Sequence, residues 1–239
     1  MLIGPQILAS RLADVRSRMK RAAVDAGRDP LGITLVAVSK THPASLIREA
    51  AGYGVTDFGE NYLQEALPKQ DELAQLPLTW HFIGAIQSNK TRDIAERFAW
   101  AHGVDRLRIA RRLSEQRPLH APPLNICLQV ELVPEPSKAG VSPAELPGLA
   151  AQVAALPRIR LRGLMCIPPP TQDMDLQSAR FAQLAALQAQ LNAQGLALDT
   201  LSMGMSEDFE IAIRAGATMV RVGSAIFGAR GPACTTSAN

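Results

Sequence analysis

The stretch "ITLVAVSKTHPASLIREAAGYG" (33–54) sets the architecture of the chain. Its first eight residues are mostly apolar, with Val36 and Val38 near the centre, as in a strand buried on both faces. The run ends on Lys40. Pro43 then suits a first helical turn, and an apolar-periodic segment follows to a Gly-rich stop. One buried strand followed by one helix is the unit of a parallel sheet.

The same unit recurs along the chain. "DFGEN" (57–61) precedes a polar helix through about Ala74. "TWHFIGA" (79–85) precedes "SNKTRDIAERFA", and "WAHGVD" (100–105) precedes "RLRIARRLSEQ". "LNICLQVEL" (124–132) gives way to a loop with Pro134 and Pro136, then to "PAELPGLAAQVAAL". "IRLRGLMCI" (159–167) leads through "PPP" to a long helix carrying Phe181, Leu184, Leu187 and Leu191 on one side. "LDTLSMG" (198–204) leads to a short helix near "DFEIAIRAG", and "TMVRVGSAIFG" (218–228) closes the series. Eight strand candidates with intervening helices predict an α/β protein with the (β/α)8 TIM-barrel fold. A doubly wound open sheet is the alternative, but no G-x-G-x-x-G fingerprint follows any strand. Ahead of the barrel, Leu8, Leu12, Val15, Met19 and Ala22 recur at steps of four and three, one face of an additional N-terminal helix. The expected organisation is a single domain over 1–239, with the extra helix at about 5–26, the barrel at about 33–230 and a disordered tail at 231–239.

Bulk properties agree with a globular chain. Of 239 residues, 47% are hydrophobic, 20% charged and only 4% aromatic, so the core must be built from aliphatic side chains. The net charge is +3, from 25 basic and 22 acidic residues, and no stretch concentrates Lys and Arg into a nucleic-acid patch. "RLRIARRL" reads as the solvated face of a helix. Cys127, Cys166 and Cys234 are widely spaced and odd in number, which gives neither a disulfide framework nor a zinc motif. Cys127 and Cys166 read as small core hydrophobes. No secretory signal and no apolar segment of the roughly 18 residues of a membrane span is present. The expected setting is reducing and cytoplasmic, with no membrane and no nucleic-acid partner.

Barrel active sites sit at the C-terminal strand ends. Lys40 ends the first strand, Glu60 and Asn61 the second, and Ser202 to Ser206 the seventh; Ser88, Asn89 and Lys90 follow the third. Lys40 reads either as the first solvated residue after a strand or as an amine held for a carbonyl. In strand eight, side chains alternate faces. If Val220 and Val222 meet the helices, Arg221 points into the barrel, either paired with an acid such as Glu60 or facing a polar ligand. Gly223 and Ser224 supply backbone amides and a hydroxyl where this fold commonly binds phosphate. Ser206 joins them or caps a helix. Amine, inward arginine and phosphate cradle together suggest pyridoxal phosphate, with apolar walls favouring the neutral, nucleophilic lysine. His81 reads as a hydrogen-bonded core histidine. His42 is open between the site and a solvated loop, and His102 and His120 have no partner at metal-ligand spacing, so no metal is expected. The acids Glu207, Asp208 and Glu210 suit the positive end of a helix.

"AVSKTHP", "FGENYLQE", "WHFIGAIQSNK", "EPSKAGV", "LRGLMCIP" and "LSMGMSEDFEIAIRAGATMVRVGSAIFGAR" closely resemble the pyridoxal phosphate homeostasis protein family, from about Ile33 to Arg230. That family shares the barrel of alanine racemase, PLP fold type III. The resemblance implies pyridoxal 5'-phosphate as cofactor, Lys40 as the Schiff-base lysine and Arg221 as the pyridine-nitrogen partner. It puts the phosphate on Ser206, Gly223 and Ser224, with Asn61 beside the cofactor and Lys138 near it. Ala85 stands where relatives often have His or Pro, a departure at the pocket rim. The implied role is to buffer PLP or deliver it to PLP-dependent apo-enzymes in vitamin B6 homeostasis, without strong catalysis. A PLP-dependent racemase is the alternative. It needs a second base, supplied in those enzymes by a tyrosine of an added domain that this chain is expected to lack, and Tyr53 and Tyr62 are poor substitutes. An arginine at the ring nitrogen also weakens the electron sink that carbanion chemistry needs. A lysine aldolase acting on phosphorylated sugars is a further alternative.

Overall fold

The computed structural model describes residues 4–133 and 139–228. Within them, eight parallel strands close into a barrel in sequence order: β1 (Thr34–Val38), β2 (Asp57–Glu60), β3 (Thr79–Phe82), β4 (Trp100–Val104), β5 (Leu124–Gln129), β6 (Ile159–Met165), β7 (Thr200–Ser202) and β8 (Met219–Val222). Closure comes from β1 pairing with β8 in the register Thr34↔Met219 to Ala37↔Val222. Helices fill the connections: α2 (Ala44–Gly52), α3 (Leu63–Glu72), α4 (Thr91–Arg97), α5 (Leu107–Gln116), α6 (Leu146–Ala154), α7 (Met174–Ala193) and α8 (Phe209–Arg214). The expected (β/α)8 barrel is the fold.

Alternation along the strands creates two apolar layers. Outward residues such as Ala37, Phe58, Val220 and Val222 join the large core between strands and helices. Inward ones, Val36, Trp100, Cys127, Met165 and Met219, form a small cluster inside the ring. The N-terminal helix α1 (Pro5–Asp25) buries the five residues its periodicity predicted and packs on α8 and on the short α9 (Ser224–Phe227). Arg18 secures it, 2.9 Å from Glu210 and with its guanidinium carbon 4.7 Å from the centre of the Phe209 ring. Gly163 is required where β6 meets β7, because a Cβ there would overlap the Thr200 carbonyl oxygen.

Strand ends fall short of the apolar runs. β3 stops at Phe82, β5 at Gln129 and β6 at Met165, and the apolar residues beyond them, including Ile83 and Ile167, line cavities at the mouth. The run 218–228 contains two elements, since Ser224–Phe227 turns into α9 and buries Ile226 and Phe227. Pro43 lies one position before the helix, extended at ψ 159, and α2 begins at Ala44. The expected tail at 231–239 and Lys138 lie outside the described residues.

Candidate functional site

Lys40 leaves the barrel mouth on a backbone held from both sides. Ser39 N–H donates to the Gly59 carbonyl at 3.0 Å, and His42 N–H to the Ser39 carbonyl at 3.1 Å. Between them Thr41 adopts φ 66, a left-handed conformation unusual for a β-branched residue, and its N–H donates to Glu65 Oε2 at 2.8 Å. Below the loop, Lys69 Nζ donates to Glu60 Oε1 at 2.8 Å and to the Ser39 carbonyl at 3.0 Å, while Ser39 Oγ donates to the same carboxylate oxygen at 2.7 Å. All three side chains are buried. Burial raises the Glu60 pKa, and the Lys69 ammonium and the Ser39 hydroxyl offset only part of that rise. Glu60 therefore serves as a support beneath the lysine loop and does not reach Arg221.

Arg221 points inward, as strand alternation predicted. Its Nη1 donates to Ser202 Oγ at 2.6 Å and its Nη2 to the Cys166 carbonyl at 2.9 Å. Among the described residues it meets no carboxylate at ion-pair distance, so the salt bridge to Glu60 considered from sequence is replaced by two neutral acceptors. Burial lowers its pKa from the ordinary arginine value.

Lys40, Asn61, Ser206, Arg221, Gly223 and Ser224 all line one cavity of about 360 Å³. The structure thus gathers these six residues from four different strand ends. Ser206 is not the cap of α8, a position taken by Asp208. Its Oγ instead accepts from Gly223 N–H at 3.3 Å and Ala225 N–H at 3.2 Å, at the start of α9. A Cβ on Gly223 would sit 3.3 Å from both Val38 Cβ and the Val38 carbonyl oxygen, so glycine keeps this backbone open. Asn61 Oδ1 is buried with no partner among the described residues, which leaves an acceptor available to a ligand. His42 lines the same cavity, its ring 5.0 Å from that of Phe227, and burial lowers its pKa.

Other residues singled out from sequence fall elsewhere. Ser88–Lys90 forms a 3₁₀ turn and does not line the cavity. Ser202 lies within β7, fully buried inside the ring. Ala85 lines a neighbouring cavity of about 250 Å³ that shares Asn61 with the first. Asp208 Oδ1 accepts from Met205 N–H at 2.6 Å and Oδ2 from Gln177 Nε2 at 2.7 Å, fixing the loop before α8.

The interior held a feature that residue spacing did not reveal. His81 is a hydrogen-bonded core histidine, as expected, but its partner is His102, with His81 Nδ1 3.0 Å from His102 Nε2. His81 Nε2 lies 2.9 Å from Asp57 Oδ1, and His102 Nδ1 lies 2.8 Å from Ser202 Oγ. The available signal was strand phase: His81 lies between Trp80 and Phe82, and His102 follows Ala101, all three of which join the outer core.

The profile of the family described as "Alanine racemase, N-terminal domain" matches residues 11–231, which gives the class of barrel. The pyridoxal phosphate homeostasis protein of Pseudomonas aeruginosa is 61% identical over 223 residues, covering 93% of this chain and 96% of that protein. Its counterpart in Escherichia coli K12 is 53% identical over 226 residues, covering 93% and 97%. The chain belongs to this family, the pyridoxal phosphate homeostasis proteins. Among solved structures, PipY of Synechococcus elongatus with PLP bound matches at TM-score 0.83 and 43% identity, covering 92% of this chain and 100% of that one. Alanine racemase from Corynebacterium glutamicum matches at TM-score 0.72 and 19% identity, covering 95% of this chain and 62% of the racemase, a likeness of fold alone.

Proposed function

We propose that this chain binds pyridoxal 5'-phosphate at the barrel mouth and buffers it, or hands it on to PLP-dependent apo-enzymes in the cytoplasm, without strong catalysis of its own. The observation that carries the reading is the convergence of an amine, a buried guanidinium and an amide–hydroxyl cradle on one cavity of about 360 Å³. That volume falls in the roughly 300–1,000 Å³ range of small-molecule sites. The residues fit the cofactor: Asn61 offers an unpartnered acceptor, and the Gly223 and Ala225 amides already converge on the Ser206 oxygen.

When bound, the cofactor supplies an aldehyde that condenses reversibly with amines. Lys40 presents its amine to that carbon from a loop fixed by Thr41 and the Glu60–Lys69 pair. Ser206, Gly223 and Ser224 hold the phosphate, and Arg221, a donor at every polar atom, meets the ring nitrogen and leaves it unprotonated. Reversible capture limits reaction of the aldehyde with other amines and permits release to an incoming one. PLP bound in PipY, 43% identical to this chain, supports the assignment.

Racemisation requires a base on each face of the substrate carbon. Among the described residues no tyrosine lines the cavity, and Tyr53 and Tyr62 are 38% and 52% exposed. The test is titration of the purified chain with PLP, followed by the visible absorbance of the bound cofactor. Wild type develops a saturable band and Lys40→Ala does not. Rapid racemisation of L-amino acids by the loaded protein would overturn the non-enzyme reading.

A further inference from the structure

Five polar side chains form one hydrogen-bonded file across the barrel interior: Asp57 on β2, His81 on β3, His102 on β4, Ser202 on β7 and Arg221 on β8. The last four are at most 4% exposed. The direction of the file is fixed from both ends. A carboxylate only accepts and a guanidinium only donates. His81 Nε2–H therefore donates to Asp57, which leaves Nδ1 of neutral His81 to accept from His102 Nε2–H. His102 Nδ1 then accepts from the Ser202 hydroxyl, whose oxygen accepts from Arg221. Every hydrogen is used once and every dipole points the same way.

We infer that this file is a positioning relay, in which Asp57 acts through His81, His102 and Ser202 to fix the orientation and charge of Arg221 and so the electronic state of the cofactor ring nitrogen. The inference rests on the reading of Arg221 as the partner of that nitrogen. Among the described residues Arg221 has no carboxylate at ion-pair distance, and the relay delivers the influence of one across the ring. Aligned hydrogen bonds in a low-dielectric interior polarise one another, which makes such transmission effective. The single direction follows from the two charged ends, and the terminus on Arg221 is what ties the file to the site.

The surroundings keep the file in this state. Burial, then His81 and Arg221, hold His102 well below the usual histidine range; burial also lowers His81 against the opposing pull of Asp57. Burial would raise Asp57, but hydrogen bonds from His81 and Thr56 outweigh it and leave the carboxyl below its ordinary value. Near Arg221, the thiols of Cys127 on β5 and of Cys166 just past β6 are pushed up to about 12 by burial and stay neutral. Asp208 acts on Arg221 from the loop before α8. Arg162, paired with Asp199 at 2.7 Å, lies over Trp100, which stacks on His81. Asp57 opens on a cavity of about 430 Å³ at the opposite barrel face, which Arg16 and Lys20 also line.

Two measurements test the relay. In the cofactor-free protein, ¹⁵N spectra of the histidine rings should show His81 and His102 as neutral Nε2–H tautomers from about pH 6 to 8. An Nδ1–H tautomer, or an imidazolium, at either position overturns the file. In the loaded protein, the pH titration of the visible band is compared for wild type, Asp57→Asn, Ser202→Ala and the double variant. Removing the relayed negative charge disfavours the protonated cofactor, so Asp57→Asn should lower the midpoint by about half a pH unit or more. In the Ser202→Ala background the same change should move it less than half as far. Equal shifts in the two backgrounds, or none, overturn transmission through Ser202. Asp71→Asn, an exposed acid paired with Arg97, is the charge control and should leave the midpoint in place. A wild-type chain without a visible band sinks the cofactor reading instead, and the tautomer spectra still decide the file.

Discussion

Lys69→Met probes the support under the reactive lysine. Lys69 is 2.8 Å from Glu60 Oε1, and the two side chains are 10% and 0% exposed. Methionine keeps the apolar stem and removes the charge, leaving Glu60 buried with Ser39 Oγ as its remaining donor. Its other oxygen has no partner among the described residues. Breaking one side of a buried pair costs about 3–5 kcal/mol. In a chain of this size each kcal/mol moves the melting temperature by about 2–4 °C, so the expected loss is about 6–20 °C. The pH dependence has a definite sign. Burial already raises the Glu60 pKa, with Lys69 opposing it, so the variant should raise it further. A carboxyl with a raised folded value carries no penalty below its unfolded pKa and an increasing one as pH climbs toward the folded value. The melting temperature should therefore fall less at pH 5 than at pH 8. Thermal melts of both proteins across that range, followed by circular dichroism, are the assay. A loss under about 3 °C, or one of the same size at both ends of the range, refutes the buried-pair reasoning.

Arg221→Glu should retain PLP but shift its absorption toward that of a protonated ring; an unchanged spectrum counts against Arg221 as the nitrogen partner. Ser206→Ala removes the hydroxyl beside the Gly223 and Ala225 amides. It should weaken PLP binding by about tenfold to a hundredfold or slightly more, the value of one hydrogen bond to a charged group. Pyridoxal, which lacks the phosphate, should bind the variant as it binds wild type, and an equal loss for both compounds contradicts the cradle assignment.

The barrel was legible because its signals are local. Each strand is a short apolar run, each helix has its own period, and eight such units leave few topologies. Lys40, Arg221 and the Gly223–Ser224 pair were legible for the same reason, since each falls at a strand end or at a phase that period two assigns. Pairings across the ring were not. Glu60 takes Lys69 from α3 rather than Arg221, and His81 meets His102 across adjacent strands, because barrel stagger brings together residues whose separation carries no motif. Strand ends were overextended at 79–85, 124–132, 159–167 and 218–228 because apolar residues also line the mouth and form α9. The role of Ser206 depended on a contact with Ala225, which composition alone does not encode.

The central claim is that the Lys40 amine carries the cofactor. Borohydride reduction of the PLP-saturated protein, followed by proteolysis and peptide mass analysis, tests it directly. A pyridoxyl phosphate adduct on the peptide containing Lys40, absent from Lys40→Ala, is the predicted result. Its absence from that side chain after saturation, or its presence on another lysine alone, contradicts the account.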